Sequence, residues 1–498
     1  MPIKFHPLFA MLQIINMSKK KNISYKDQLK KHLLIKKVAE ASEKLSKEVY
    51  IVGGYVRDMI LQRERNDIDF LVIGSGPEFA KAVAELLGIK KVSVFNNFGT
   101  AHFVYDELDV EFVGARKESY DRKTRKPIVE DGTFMDDISR RDFTINTLAI
   151  SLTKNNFGEL IDSFDGYQDI QNTIIKTPLD PLKTFDDDPL RIMRAFRFAS
   201  QLNFSVDESI LKAAKQMKDR LSIVSQERIT DEFIKILSSL KPSVGIKLLY
   251  DSEVLQIIFP EIAVMAGVDQ RKDYHHKDVF LHTCMVVDNI SKETNNVWLR
   301  FAALVHDIAK PPTKKFIEGT GWTFHGHEEL GARMMKKIFL RMKLPLHQLG
   351  YIEKLIRLHL RPIALAKEEV TDSAIRRFIV EAGEDLEDLI TLCRADITSK
   401  NPVKVEQYLG NYERVMQKVR DVKERDKLRE FQSPVRGEEI MKVCNLKPSK
   451  QVGEIKKAIE EAILDGKIGN NYEEAYNYLM QIKDNILSSK KLDINSIR

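Results

Sequence analysis

The sequence predicts a multidomain, mostly α-helical chain whose N-terminal part is an α/β domain with a small mixed sheet. Three observations predict it. The chain has 498 residues, too many for one ordinary hydrophobic core. Short β-type runs alternate with helical stretches up to about residue 165, and strand signals fade from about residue 176. Beyond that point apolar residues recur at helical spacing among Leu, Ile, Lys and Glu, with proline-containing joints. The expected divisions are an N-terminal flexible extension (1–26), an α/β head (27–165), a helical neck (166–265), a further helical domain (266–400) and a helical C-terminal body (401–498).

Each element follows in order. Residues 27–47 carry the periodicity of an amphipathic helix, and 49–52 are a short β-type run ending in Gly53-Gly54. A helix is expected over 55–62. Residues 67–73 alternate and then turn apolar, which is a strand pattern. Residues 79–88 read as a helix stopped by Gly88, residues 91–95 and 100–105 as a hairpin, and 109–114 as another strand. Helical spacing recurs over 188–202, 207–219, 225–239 and 241–257.

Composition narrows the class. Hydrophobic residues make up 43% and charged residues 31%, a globular balance. The net charge of +6 permits a nucleic acid partner without requiring one. The three cysteines, Cys284, Cys393 and Cys444, are far apart, so neither a disulfide framework nor a zinc site is expected, and a reducing cytoplasm fits. No apolar run is long enough to span a bilayer, and no membrane partner is expected. The apolar stretch from Leu8 to Ile15 precedes the basic Lys19, Lys20 and Lys21, the reverse of a signal peptide. Residues 1–16 are expected to be an extension, with Met17 an alternative start.

Chemistry begins at Gly53-Gly54-Tyr55-Val56-Arg57-Asp58. Two glycines between a strand and a helix allow close approach of backbone to a ligand, and the helix N-terminus offers N–H groups to phosphate. Arg57, about one turn in, is placed to hold a triphosphate. Asp67 and Asp69 are i and i+2 on a strand, so their carboxylates share a face. They repel one another unless a cation compensates. Mg²⁺ accepts one or two carboxylates plus substrate phosphates, and two such ions can hold an attacking 3′-oxygen and a leaving pyrophosphate. A third carboxylate should come from the strand at 109–114, with Glu111 preferred and Asp109 the alternative.

Gly-Gly-x-Val-Arg-Asp followed by Asp-x-Asp resembles the nucleotidyltransferase superfamily, in its branch of bacterial-type tRNA nucleotidyltransferases and poly(A) polymerases. Three more motifs of that branch follow in order, and the match covers 49 to about 235. The resemblance implies a palm in the head with Asp67, Asp69 and Glu111 as its catalytic carboxylates. In Arg140-Arg141-Asp142-Phe143-Thr144-Ile145-Asn146 it implies that Arg141 contacts the nucleotide and Asp142 helps recognise the ribose; Asp142 also suits a helix cap. In Asp187-Asp188-Pro189-Leu190-Arg191 it implies base reading without a template, by Asp188 and Arg191. A carboxylate accepts from the exocyclic amino group of C and A, which U lacks, and a guanidinium donates to ring acceptors. Arg194 and Arg197 continue the stripe and are expected to hold phosphate. Asp187 stands where the family usually has Glu. Glu227-Arg228-Ile229 with Glu232 resembles a family motif that braces the head.

A second set is His282, His306-Asp307, His325-Gly326-His327, His359 and Asp396. Its order resembles the HD phosphohydrolases, over about 275–400. The resemblance implies that His282, His306, Asp307, His327, His359 and Asp396 bind a divalent transition metal, with His325 nearby and His275 and His276 peripheral. It also implies a possible phosphatase or 2′,3′-cyclic phosphodiesterase activity. The leading expectation is template-independent addition of CCA to the 3′ end of tRNA from CTP and ATP, with Mg²⁺ at the palm. The alternatives are A-adding, CC-adding or poly(A)-adding activity, and an HD phosphohydrolase with a relic head.

Overall fold

The computed structural model describes residues 23–95, 99–119, 128–268, 278–366, 370–426 and 433–488. The chain divides into two compact units at Val224/Ser225. That boundary falls inside the 166–265 span expected as one neck. The early part of the span stays with the head because it adds to it: Asp207 N–H donates to Ile175 O, and residues 174–175 pair in parallel with 205–206.

The first unit opens with α1 (Lys26–Leu29) and α2 (Leu33–Leu45). The expected single helix over 27–47 is therefore two, and residues 23–26 are no loose extension: Ser24 bridges Glu159, and Tyr25 N–H donates to Gly158 O. Residues 1–22 lie outside the described residues. Next come β1 (Val49–Val52), α3 (Gly54–Ile60), β2 (Asp67–Val72), α4 (Gly76–Leu87), β3 (Ser93–Phe95), β4 (Thr100–Tyr105) and β5 (Leu108–Gly114). Then follow β6 (Arg116–Ser119), β7 (Ile128–Asp131), α5 (Phe134–Ser139), β8 (Ala149–Ser151), β9 (Leu160–Ile161), α6 (Gly166–Gln171) and β10 (Ile174–Ile175). The unit closes with α7 (Pro181–Asp187), α8 (Leu190–Leu202), β11 (Ser205–Val206) and α9 (Glu208–Met217).

The main sheet has the order β3-β4-β5-β2-β1-β8-β9. It is mixed: β2 and β5 are parallel, and their neighbours are antiparallel. The apolar run of β2 is why it sits centrally, with Phe70, Leu71 and Val72 buried. Phe70 stacks on Phe112 of β5 at 4.9 Å, and Phe79 of α4 packs on the same ring at 5.7 Å. Helix α4 starts where Ser75 accepts from Glu78 N–H and stops at Gly88, whose φ is 72°.

Among its described residues the second unit is helical apart from one hairpin. It comprises α10 (Gln226–Leu237), α11 (Pro242–Asp251), α12 (Leu255–Ile258), α13 (Pro260–Ala263), α14 (Val279–Glu293), α15 (Val297–Val305) and α16 (Lys310–Thr313). The hairpin is β12 (Lys315–Ile317) with β13 (Gly321–Thr323). Next come α17 (His327–Met342), α18 (Leu349–Leu358), α19 (Arg361–Leu365), α20 (Asp372–Ala382) and α21 (Leu386–Ala395). The unit ends with α22 (Pro402–Asp426), α23 (Gly437–Cys444), α24 (Lys450–Leu464) and α25 (Tyr472–Ser488). The stretch expected as one helix over 241–257 breaks where Ser252 Oγ bonds back to Leu248 O and Glu253 takes φ 59°. The hairpin escaped sequence reading because each strand is three residues long. The last three helices share a core of Ile440, Ile455, Ile459, Ala475 and Leu479. No helix among the described residues is long and apolar enough to cross a membrane.

Candidate active site and metal centre

The palm carboxylates sit where strand geometry puts them. Asp67 and Asp69 are the partly exposed positions of β2, flanking buried Ile68, so they share a face. Parallel register sets Asp69 beside Glu111 and Asp67 beside Asp109. His102 Nε2 lies 3.0 Å from Asp109 Oδ1, so Asp109 already has a partner and Glu111 is the better third carboxylate. Burial raises the Asp69 carboxyl to about 6, opposed by Arg141 and reinforced by Glu111 and Asp67. Carboxylates crowded this way suit a divalent cation.

The diglycine turn lies against this cluster. Val52 pairs with Asp69 across β1 and β2. Gly53 has φ 73°, and a Cβ there would lie 2.8 Å from Arg141 Nη1 and 3.7 Å from Asp69 Oδ2. A side chain at Gly53 would therefore meet both the cation expected to face the nucleotide and a carboxylate expected to bind metal. Arg141 is held by Asp137, with Nη2 3.1 Å from Oδ2. Arg140 pairs with the same carboxylate, which is fully buried. Asp137 was not singled out from sequence, although its spacing three and four residues before the two arginines is an i, i+3/i+4 signal.

Arg57 departs from its expected role. It is 5% exposed, and its donors go to Asp58 (Nε–Oδ1 2.9 Å, Nη2–Oδ2 2.7 Å) and Asn146 (Nη1–Oδ1 2.7 Å). It braces the turn from inside, because its neighbour Asp58 offers a complete carboxylate fork. Besides Arg141, a second cation lies over the turn: Arg65, which sequence reading passed over. A Cβ on Gly54 would be 1.9 Å from Arg65 Nη1.

Helix α8 also differs from the expected stripe. Asp188 lies two residues before it, and its Oδ1 accepts from Leu190 N–H. Arg191 donates through Nη2 to Arg140 O at 2.5 Å. Arg194 pairs with Asp142: Nε and Nη2 donate to Oδ2 at 2.8 and 2.6 Å. Arg197 is buried, with its guanidinium 4.3 Å from the Phe198 ring centroid. Both were expected to hold phosphate; in the structure Arg194 is paired with Asp142 and Arg197 lies on the Phe198 ring. Asp142 also accepts from Asn146 Nδ2 and Phe143 N–H, so it is a buried hub and not simply a cap.

In the second unit, His282 comes from α14, His306-Asp307 from the end of α15, His327 from the start of α17, His359 from the end of α18 and Asp396 from the end of α21. They form two triads with metal-ligand spacing, His282/His306/Asp396 and Asp307/His327/His359. Asp307 joins them. Its Oδ2 is 3.2 Å from His306 Nε2 and 3.6 Å from His282 Nε2, while Oδ1 is 3.4 Å from His327 Nε2. His282 Nε2 lies 2.8 Å from Asp396 Oδ1.

The histidines fit a metal by their outer nitrogens. Nδ1 of His306, His327 and His359 meets the carbonyls of Ala303, Phe324 and Ile356 at 2.8, 2.7 and 2.6 Å. A carbonyl only accepts, so each Nδ1 carries the hydrogen and Nε2 of the neutral ring turns a lone pair inward. His327 and His359 thus face each other Nε2 to Nε2 at 3.3 Å. Burial pushes His359 down to about 4, the neutral form that ligates. His306 is also penalised by burial, but Asp307 and Asp396 override it and raise it to about 10; a metal would displace that proton. Thr398, which bonds His282 Nδ1 at 2.9 Å, was missed because a lone threonine carries no sequence signal. His325 is exposed and outside both triads. His275 and His276 lie outside the described residues.

Three families match successive parts of the chain. Residues 49–176 match the family described as the poly A polymerase head domain. Residues 203–265 match the probable RNA and SrmB-binding site of polymerase A, and 273–401 the HD domain. A multifunctional CCA protein of Shewanella frigidimarina is 33% identical over 312 residues, spanning 60% of this chain and 70% of that protein. An A-adding tRNA nucleotidyltransferase of Aquifex aeolicus is 46% identical over 167 residues, 34% of this chain and 20% of that protein. An apo CCA-adding enzyme shares the fold, with TM-score 0.62 at 22% identity over 92% of this chain and 99% of its own. A tRNA nucleotidyltransferase complexed with a primer tRNA and an incoming ATP analogue matches with TM-score 0.56 at 25% identity, over 78% of this chain and 99% of its own.

Proposed function

Because this chain belongs to the tRNA nucleotidyltransferase family that contains the multifunctional CCA proteins, we propose that it builds the CCA end of tRNA from CTP and ATP. The observation that carries this reading is the cluster of Asp67, Asp69 and Glu111 against the Gly53-Gly54 turn, with Arg141 at the same turn. Asp67 and Asp69 would hold Mg²⁺, with Glu111 aligning or deprotonating the 3′-hydroxyl. Magnesium supplies charge neutralisation for the attacking and leaving oxygens. Arg141 meets the triphosphate, and Asp142 orders the ribose side. Asp188 and Arg191 stand one turn apart at the start of α8 and select C and A over U. The remaining helices clamp tRNA through its phosphates, so binding weakens with salt. A reducing cytoplasm suits three unpaired cysteines.

One observation favours an A-adding reading: the 46% identity to the Aquifex protein. It spans a third of this chain, whereas the multifunctional CCA relatives match well beyond that length. The HD centre gives the protein a second, metal-dependent phosphohydrolase activity in this proposal. A divalent transition metal suits its imidazole and carboxylate donors.

The test is incorporation into tRNA lacking its CCA end, with each triphosphate alone and with CTP and ATP together. The expected result is two residues from CTP alone, three from the pair and none from UTP. Incorporation of ATP alone would overturn CCA addition in favour of A addition, and use of UTP would overturn base reading by Asp188 and Arg191.

A further inference from the structure

Arg65 lies in the segment between α3 and β2, two residues before the first palm aspartate. Its guanidinium grips that aspartate with both arms, Nε to Asp67 Oδ1 and Nη2 to Asp67 Oδ2, each at 2.5 Å. Its remaining nitrogen Nη1 donates to Asp58 Oδ2 at 2.9 Å. Asp58 is in turn fixed by Arg57, and Arg57 by Asn146. The planar group lies across Gly54, where a Cβ would meet Arg65 Cζ at 2.5 Å. Both oxygens of Asp67 are thus engaged by a cation, on the floor of the turn expected to cradle the triphosphate.

We propose that Arg65 is the resident cation of the palm before nucleotide binds, and that magnesium replaces it at Asp67 only when it arrives already bound to a nucleoside triphosphate. The inference rests on the palm binding Mg·NTP. A free divalent ion must break a bidentate, charge-assisted pair to reach Asp67 and gives the released guanidinium no new partner. Mg·NTP brings phosphate oxygens that accept equally well from a guanidinium fork. A cavity of 720 Å³, lined by Tyr25, Tyr55, Arg63, Glu64, Arg65 and Asn66, opens beside the side chain and leaves it room to turn from Asp67 towards those phosphates. Arg65 is a positioning residue in this account. It keeps Asp67 paired without metal and couples metal entry to nucleotide entry.

Binding of Mn²⁺ to the full chain tests this, read from loss of the free-ion electron paramagnetic resonance signal. Binding by the D67A/D69A variant is subtracted to remove the HD centre. Without nucleotide, Arg65→Gln should bind Mn²⁺ at the palm at least tenfold more tightly than wild type, and Arg65→Lys, which keeps the charge but loses the fork, should fall between them. With a non-hydrolysable CTP analogue present, the three should converge to within threefold. Equal or weaker Mn²⁺ binding by Arg65→Gln without nucleotide would overturn the proposal and leave Arg65 a simple brace for Asp67. If wild type with the analogue binds no more Mn²⁺ than D67A/D69A, the palm reading itself fails. Arg65 is only partly buried, and circular dichroism of both variants checks that they fold.

Discussion

Buried charge at Asp142 shows how single residues set this site. Burial alone would raise its carboxyl, but Arg194 and the Asn146 amide hold it down at about 2. Its folded value is therefore below its unfolded one. The stabilisation is complete above the unfolded value near 4 and is lost as pH falls towards 2, amounting to about 2 kcal/mol. Urea unfolding at stepped pH should show the gap between wild type and Asp142→Asn widest above pH 4 and closing towards pH 2. A gap that does not change with pH contradicts this account of Asp142. The pairing of Asp142 with Arg194, 52 residues away, could not be read from sequence, where Arg194 looks like one member of a charged stripe. Arg57 teaches the same lesson. Its spacing from the glycines is visible, but the loss of its donors to Asp58 and to Asn146 89 residues later is not. Asp67 and Asp69 were legible because strand alternation alone puts them on one face.

At the scale of elements, periodicity located the strands around the palm and the long helices, since local spacing reflects burial directly. It failed where a tertiary contact decides. One such place is Arg300 in α15, 2% exposed within an otherwise apolar helix. Its guanidinium donates to Leu237 O at the end of α10 and Ser239 O just past it, and to Ser291 O and Thr294 O at the end of α14. It closes two helix ends whose last carbonyls lack intrahelical donors. Arg300→Met fits a similar volume but leaves those carbonyls unsatisfied, and should cost about 3 kcal/mol or more in urea unfolding. A loss under about 0.5 kcal/mol, the size expected of an ordinary surface position, would show that water replaces the guanidinium. The HD ligands illustrate the converse. The six come from five helices, His306 and Asp307 sharing the end of α15, and no local pattern brings the five together; the family resemblance supplied the set, and the fold supplied the tautomers and the Asp307 bridge.

For the molecule as a whole, two clusters of acidic and histidine groups stand in separate compact units, the palm in one and the HD centre in the other. Each has its own ligands, so the two chemistries should be separable by substitution. The family and the domain order were legible because several motifs recur in sequence order. The unit boundary at Val224/Ser225 was not, because the pairing of 174–175 with 205–206 that ties the early neck to the head is only two residues long on each side. The central claim is that Asp67 and Asp69 perform nucleotide addition independently of the HD centre. Its most direct measurement is incorporation of CTP and ATP into tRNA lacking CCA by wild type and by Asp67→Ala/Asp69→Ala, with metal-dependent hydrolysis of bis(p-nitrophenyl) phosphate followed on the same preparations. The predicted result is loss of addition by a factor of about 1,000 or more, with hydrolysis unchanged. Addition that survives in the double variant contradicts the account.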